Sequence, residues 1–286
     1  MTELTEKKCR LCSECNGFGC KGQIPGMGGS DNNENFILNC ADWKNIPAGF
    51  FPRNKGTLRL APMTGGVENA GYHDEKLFYT DIINSCIEAG IALSVGDGTP
   101  DEKFIWGCSA VRQNNAKAAV FIKPYPDEKI EERIELSQDI AEVCGIDIDS
   151  YNIATMRNLV HLEKKTSEQL LKTKNLLNKK GIPFAVKGIF TESDIQMLRE
   201  VKPDIAYVSN HGGRVQTEKG STARFLTLYA DEIRNYCNEI WVDGGIRNGT
   251  DMEKAFSYGV STVLMGRPFI TALLKKQNFL SLLPKN

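Results

Sequence analysis

The segment DIAYVSNHGGRV, Asp204 to Val215, runs from apolar residues straight into Ser209, Asn210, His211, two glycines and Arg214. An imidazole titrates near neutrality, so His211 suits a general base. A guanidinium can grip a carboxylate through two parallel hydrogen bonds, so Arg214 suits an anion clamp. Gly212 and Gly213 between them carry no side chain that would obstruct a small molecule. Other apolar runs also end in polar groups: Asp147-Ile148-Asp149 closes one, Lys187 another, and Lys123-Pro124-Tyr125 a third. DGGIRNGTD and, one unit later, MGRPF supply Gly244, Gly245, Arg247, Gly266 and Arg267. Glycine N–H groups, helix N-termini and arginine forks in such series suit a phosphate site, the plainer reading being glycines in tight β/α turns and solvated arginines. His73 and His161 lack comparable neighbours and read as structural.

Elements of a definite kind must position these groups. From Thr57 onward, eight short apolar runs (TLRLAP, IALSV, AAVFI, GIDID, PFAVKG, DIAYVSN, EIWVDGG and STVLMG) alternate with segments of helical spacing. The latter include Lys76 to Ala89, Asp127 to Val143, Ser167 to Lys180 and Asp251 to Tyr258. Thr191 with Asp194, and Thr250 with Glu253, read as capping boxes. A doubly wound sheet also alternates but rarely reaches eight units, and here polar residues follow nearly every strand's carboxyl end. The expected fold is therefore α/β, a (β/α)8 TIM barrel over residues 57–286 whose site lies at that end. Residues 1–56 are expected to form an N-terminal Cys-rich extension, with PGMGGSDNNENF as loop.

Composition narrows the partners. The chain has 286 residues, with 35 Lys+Arg against 36 Asp+Glu, a formal net charge of -1. Such a balance offers no field for nucleic acid or an anionic membrane, so a small molecule is expected. The start, MTELTEKKCR, lacks a signal-peptide core, and no run is long enough to span a bilayer, so the expected location is the cytoplasm. Nine cysteines, four of them in CRLCSECNGFGC, argue for reduced thiols and one local cysteine site rather than a disulfide framework. Cys9, Cys12, Cys15 and Cys20 could hold zinc or an iron-sulfur cluster, with free or redox-active thiols as the plainer reading. CSECNGFG also resembles one copy of the zinc-binding repeat of J-domain chaperones.

VKGIFTESD, VSNHGGRV and VDGGIRNGTDMEKAFSYGVSTVLMGRPF, in that order, resemble the signatures of the FMN-dependent 2-hydroxy-acid oxidases and dehydrogenases, the glycolate oxidase and lactate oxidase group. The similarity extends, more weakly, from Thr57 to about Leu274. The resemblance implies bound FMN and oxidation of a small 2-hydroxy acid to the 2-keto acid, with an unknown electron acceptor. It makes His211 the base, Arg214 the carboxylate anchor, Asp149 the partner of His211, and Tyr125 a hydrogen-bond partner of the substrate oxygen. Lys187 is placed beside the flavin pyrimidine edge. Further flavin contacts are implied for Ala61, Pro62, Met63, Ser94, Lys123, Asp147, Ser209 and Asp243, with Gly244, Gly245, Arg247, Gly266 and Arg267 at the phosphate. Members of this family often form oligomers, so a homo-oligomer is implied too.

Several positions depart from the family pattern. Lys123 stands where relatives usually have a flavin-contacting glutamine. The N-terminal loop IPGMGGSDN lacks the tyrosine that shares the substrate carboxylate, leaving Met27 or a backbone group in its place. The segment after the fourth strand is short, and Gln216-Thr217 replaces the usual Leu-Asp. Two alternatives stay open: an FMN-dependent isomerase like the type 2 isopentenyl diphosphate isomerase, and a non-catalytic flavin-binding redox sensor.

Overall fold

The structure, a computed structural model, describes residues 34–51, 56–152, 160–215 and 217–282. Eight strands form one parallel sheet: β1 (Thr57–Leu60), β2 (Ser94–Gly96), β3 (Ala118–Ile122), β4 (Ala141–Asp147), β5 (Phe184–Ile189), β6 (Ile205–Val208), β7 (Glu239–Val242) and β8 (Val260–Met265). They are ordered β1-β8-β7-β6-β5-β4-β3-β2, and a bridge between Arg59 and Ala92 joins the two ends. The expected (β/α)8 barrel is what the chain adopts. Parallel pairing forces each strand to be followed by a crossover. The crossovers are carried by α3 (Glu75–Glu88), α4 (Glu102–Gln113), α5 (Asp127–Ser137), α6 (Ser167–Lys179), α7 (Glu192–Val201), α8 (Thr222–Ile233) and α9 (Gly249–Ser257), with α10 (Arg267–Leu274) after β8. Before the barrel comes α1 (Glu34–Asn45), and a short α2 (Gly66–Ala70) follows β1.

Successive strand residues face opposite sides, so each strand feeds two cores. One lies between strands and helices; the other fills the barrel interior. Inside, Phe121 meets Tyr207 edge-on at 5.2 Å and Trp241 at 6.4 Å between centroids. Beneath them Arg59 lies 4.9 Å over the Trp241 ring and pairs with Glu142 at 2.6 Å. Aromatic pairs at such spacings add to burial and fix the rings against one another. The interior is thus a rigid packed plug, not a pore.

Local expectations fare unevenly. Thr191 and Asp194 do form a reciprocal capping box at the start of α7. At α9, however, the cap is Asn248, whose side chain accepts from Asp251 N at 3.0 Å, so the box expected of Thr250 and Glu253 is not made. The helix expected to reach Val143 stops at Ser137, where a tight turn closes as Ile140 N bonds Ser137 O at 3.0 Å. Val143 is needed as an inward residue of β4. The loop expected around PGMGGSDNNENF ends at Glu34, because α1 begins there. Its Trp43 is fully buried in the same core as the barrel and donates from Nε1 to Gly244 O at 2.7 Å.

Candidate active site

Alternation carries the aromatic floor into a charged layer above it. Two residues beyond Phe121 is Lys123, beyond Ala185 is Lys187, beyond Tyr207 is Ser209, and beyond Trp241 is Asp243. Asp147 ends β4, and Asp149 lies two residues further on. Lys187 Nζ donates to Asp147 Oδ1 at 2.7 Å and sits 5.5 Å over the Tyr207 ring, while Tyr207 OH donates to Asp243 Oδ2 at 2.8 Å.

His211 enters this layer from a 3-10 turn, His211–Gly213, after β6. Its Nδ1 lies 3.1 Å from Asp149 Oδ1 and 3.4 Å from Lys187 Nζ; its Nε2 lies 3.6 Å from Asp147 Oδ2. The turn is braced from both sides. Asn210 accepts from Gly213 N at 3.0 Å and exchanges amide hydrogen bonds of 2.8 and 3.2 Å with Asn39 of α1. Ser209 Oγ accepts from His211 N at 3.1 Å. Gly213 has φ +93 and backs onto α1 so closely that a Cβ there would lie 2.5 Å from Phe36 N. Only glycine permits that approach. His211 itself has φ 57, an uncommon left-handed conformation for a residue with a side chain.

Burial and mutual charge divide the protons among these groups. Burial alone would raise Asp147, but His211, Lys187 and Lys123 together hold it below the usual carboxylate range. Burial raises Asp149 well above that range, Asp147 adds to the effect, and Lys187 opposes it. Burial and mutual repulsion thus push the two acids apart, with Asp147 the more acidic of the pair. Burial drives His211 well below its ordinary value, with Lys187, Lys123 and Arg214 pushing the same way against Asp147, so the ring is neutral near pH 7. For Lys187, burial would lower the ammonium, yet Asp147, Asp149 and Asp243 outweigh it and keep it charged. Arg214 is lowered by burial to about 10, still a cation at neutral pH, with Asp243 opposing the shift.

Ligand atoms of Asp147, Asp149 and His211 lie within 4.8 Å of one another, a spacing that could hold a metal. The Lys187 ammonium already sits against Asp147, and a second cation there would be repelled. Other polar atoms are sealed from solvent without a hydrogen-bond partner among the described residues: Arg214 Nε, Ser94 Oγ, Asp243 Oδ1 and Asp149 Oδ2. Native interiors seldom leave such atoms without water, an ion or a ligand to take them, and Arg59 Nε and Tyr125 OH are in the same position.

The glycine-arginine series lies beside this layer. Gly244 and Gly245, at φ +93 and +80, pack against Asn39, and a Cβ on Gly244 would meet Thr222 Oγ1 at 2.8 Å. Arg247 and Arg267 lie 5.9 and 4.9 Å over the Phe36 ring. Gly266 precedes α10 and backs onto Met63, so that a Cβ on Gly266 would lie 2.7 Å from Met63 Sδ. Similarly, a Cβ on Gly96 would lie 2.9 Å from Pro62 O, while Ala61 belongs to the interior core.

Tyr125 is the clear exception. Its N–H bonds Lys123 O at 2.7 Å across Pro124, a three-residue turn that breaks the inward alternation. The ring packs instead in the outer core, with Lys129 Nζ 4.9 Å and Arg133 5.8 Å from its centroid. The ring thus lies outside the inward layer where the substrate contact of Tyr125 is expected, although its OH is sealed without a hydrogen-bond partner among the described residues. Cys9, Cys12, Cys15, Cys20, Met27 and Gln216 lie outside the described residues.

Sequence reasoning overlooked Asn35, Asn39, Tyr207 and Asp97. Asn35 donates to Val215 O and Glu218 O, each at 2.8 Å, and so ties α1 to the loop after His211. Asp97 could have been found by the rule that found the others, since it directly follows β2.

A parallel barrel with a buried acid–histidine–lysine cluster at the carboxyl ends of its strands defines an enzyme-like class of fold and site. Residues 111–278 match the model of the FMN-dependent dehydrogenase family, and the chain belongs to that family. It is 39% identical over 95 residues to a peroxisomal (S)-2-hydroxyacid oxidase of Arabidopsis thaliana, covering 33% of this chain and 26% of that protein. It is 40% identical over 91 residues to an L-lactate dehydrogenase of Acinetobacter baumannii, covering 32% and 24%. The matched stretch therefore spans about a quarter of the length of these curated relatives. A mandelate oxidase structure superposes with a TM-score of 0.66 at 20% identity, covering 92% of this chain and 89% of that one. A lactate oxidase from Pediococcus acidilactici gives 0.68 at 17% identity, covering 92% and 83%. These two likenesses show the fold.

Proposed function

We propose that the protein binds FMN across the barrel mouth and oxidises a small 2-hydroxy acid to the 2-keto acid. The observation that carries this reading is the His211 ring, neutral and held 3.1 Å from Asp149, one turn before a cation whose Nε is sealed and unpaired. The residues present fit the cofactor. Ser94 Oγ and Asp243 Oδ1 offer buried, unpartnered polar atoms, and Gly96 backs onto the Pro62 backbone too closely for a larger residue. Lys187, Ser209 and Asp243 would hold the ring, with Gly244, Gly245, Arg247, Gly266 and Arg267 at the phosphate. Bound FMN supplies the acceptor for two electrons.

The chain's own residues do the rest. Arg214 anchors the substrate carboxylate and fixes its orientation. Asp149 engages Nδ1 of His211, so Nε2 is the atom on which the substrate proton lands. The imidazolium then formed is stabilised by ionised Asp147, whose Oδ2 is 3.6 Å from Nε2. Burial of the cluster excludes water from the transfer.

The test is the visible spectrum of the purified, FMN-supplemented protein, then anaerobic titration with glycolate, lactate and mandelate. Bleaching by one of these acids is the expected result. Failure to take up FMN overturns the reading, and tight FMN without bleaching by any 2-hydroxy acid leaves a binding protein in its place. The four N-terminal cysteines are proposed, on spacing alone, as ligands for zinc or an iron-sulfur centre, which elemental analysis checks. No helix among the described residues is long and apolar enough to cross a membrane. A cytoplasmic location, a homo-oligomer and an external electron acceptor complete the proposal.

A further inference from the structure

Lys187 has a counterpart that its own role does not explain. Lys123 follows β3, on the inward level two residues above Phe121, and is only 6% exposed. Asp147 and Asp97 attract its ammonium, Lys187 repels it, and burial lowers it. Lys187 donates a 2.7 Å hydrogen bond to Asp147. Lys123 Nζ, by contrast, donates none to another described residue. A largely buried ammonium with attraction but no directed protein partner is free to serve a group at the mouth.

What stands behind Lys123 is rigid. Asp97 accepts from Gly98 N at 2.8 Å and from Arg133 Nε at 3.4 Å, and its side chain is fully buried. Arg133, itself 1% exposed, pairs through Nη2 with Asp101 at 2.6 Å, and Asp101 with Lys129 at 2.9 Å. A line of fixed charges thus runs from the outer wall of the barrel, between α4 and α5, to the mouth. A structural role would be met by Arg133 and the two aspartates alone. The unpaired end of the line is Lys123, and it is the end that faces the Asp147–Lys187–His211 layer.

We propose that Lys123, at the inward position above Phe121, is a second cation of the cofactor site, and that with Lys187 it stabilises negative charge arriving on the flavin ring. The inference rests on FMN binding at this mouth. Two buried cations in place of one make the ring a stronger acceptor of electrons and of anionic nucleophiles, because charge in a dry site is weakly screened.

Sulfite tests this without turnover, since it adds to oxidised flavin, leaves negative charge on the ring and bleaches the visible band. FMN-loaded wild type, Lys123→Met, Lys123→Gln, Lys123→Arg and Asp97→Asn are titrated with sulfite, and FMN affinity is measured in parallel by fluorescence. Expected are a loss of sulfite affinity of about tenfold or more in Lys123→Met and Lys123→Gln, retention in Lys123→Arg, and a smaller loss in Asp97→Asn. FMN affinity should change much less than sulfite affinity in all of them. Lys123→Gln keeps a polar side chain and serves if Lys123→Met does not fold. FMN-loaded Lys123→Gln binding sulfite within about twofold of wild type would overturn the proposal and leave the proposed function standing. Wild type that takes up no FMN would overturn both.

Discussion

The floor and the mouth of this barrel are built by the same strands, two residues apart, and their buried groups are of opposite kinds. In the floor, Phe121 meets Tyr207 and Trp241 edge to face, and the one buried charge, Arg59, reaches both Glu142 and the Leu93 carbonyl though its Nε stays unpartnered. In the mouth, buried Lys123, Asp147, Asp149 and Lys187 are crowded with half-buried His211 and Asp243, and Asp149 and Asp243 each keep an unpartnered oxygen. Burial by itself therefore says little about role. A buried ring that meets its neighbours stabilises the fold, whereas a buried charge that lacks a partner points to something that binds.

That contrast can be broken experimentally. The largest effect is expected from His211→Gln: turnover of the preferred 2-hydroxy acid falls by roughly a thousandfold while the melting temperature stays within a few degrees. A variant that unfolds instead would move His211 from the mouth's chemistry to the floor's. Next comes the mirror case. Phe121→Ala should lower unfolding free energy by about 3–5 kcal/mol in a denaturant titration. A neutral result would mean that the floor contributes less to stability than its packing suggests. Arg214→Met should raise KM by roughly ten- to a hundredfold, and more for a 2-hydroxy acid than for its amide. Equal effects on acid and amide would remove the carboxylate anchor.

The smallest expected effect is on pH dependence. His211 must be neutral to accept a proton, and its value is lowered by burial. The acid limb of kcat/KM should therefore lie below the ordinary imidazole range near 6.5, with a flat profile from there to pH 8. The same shift has a consequence for stability. A lowered histidine contributes stability fully present above its unfolded value and lost as pH falls, so unfolding should become easier below about pH 6.5. An acid limb above 6.5 would mean that His211 is charged in the folded protein, and the mouth wetter than its packing indicates.

The strand-end residues were legible because a parallel barrel obeys two simple rules, alternation along each strand and function at the carboxyl ends. The Asp147–Asp149 pair, Lys187 and His211 lie far apart in the chain, yet those rules place them together, and they meet within a few ångströms. Tyr125 shows where alternation stops being a guide: a turn at Pro124 redirects the chain after Lys123, and spacing alone cannot register it. Helix α1 was hidden for another reason. Its buried face includes Asn35 and Asn39, residues that favour loops in isolation, and their burial makes sense only against the backbone groups they bond in distant segments. Misplacing the cap of α9 has a similar root, since Asn248 and Thr250 both offer a side-chain oxygen and only the backbone decides between them.

The ring of strands is not stitched evenly. Every neighbouring pair is joined by a ladder of at least three registered residues except β1 and β2, which share a single bridge at Arg59 and Ala92. In the circular order the point facing that seam is the junction of β5 with β6, the two staves that carry Lys187 and His211. Local opening of the hoop is expected to start at that seam, the side of the ring farthest from Lys187 and His211.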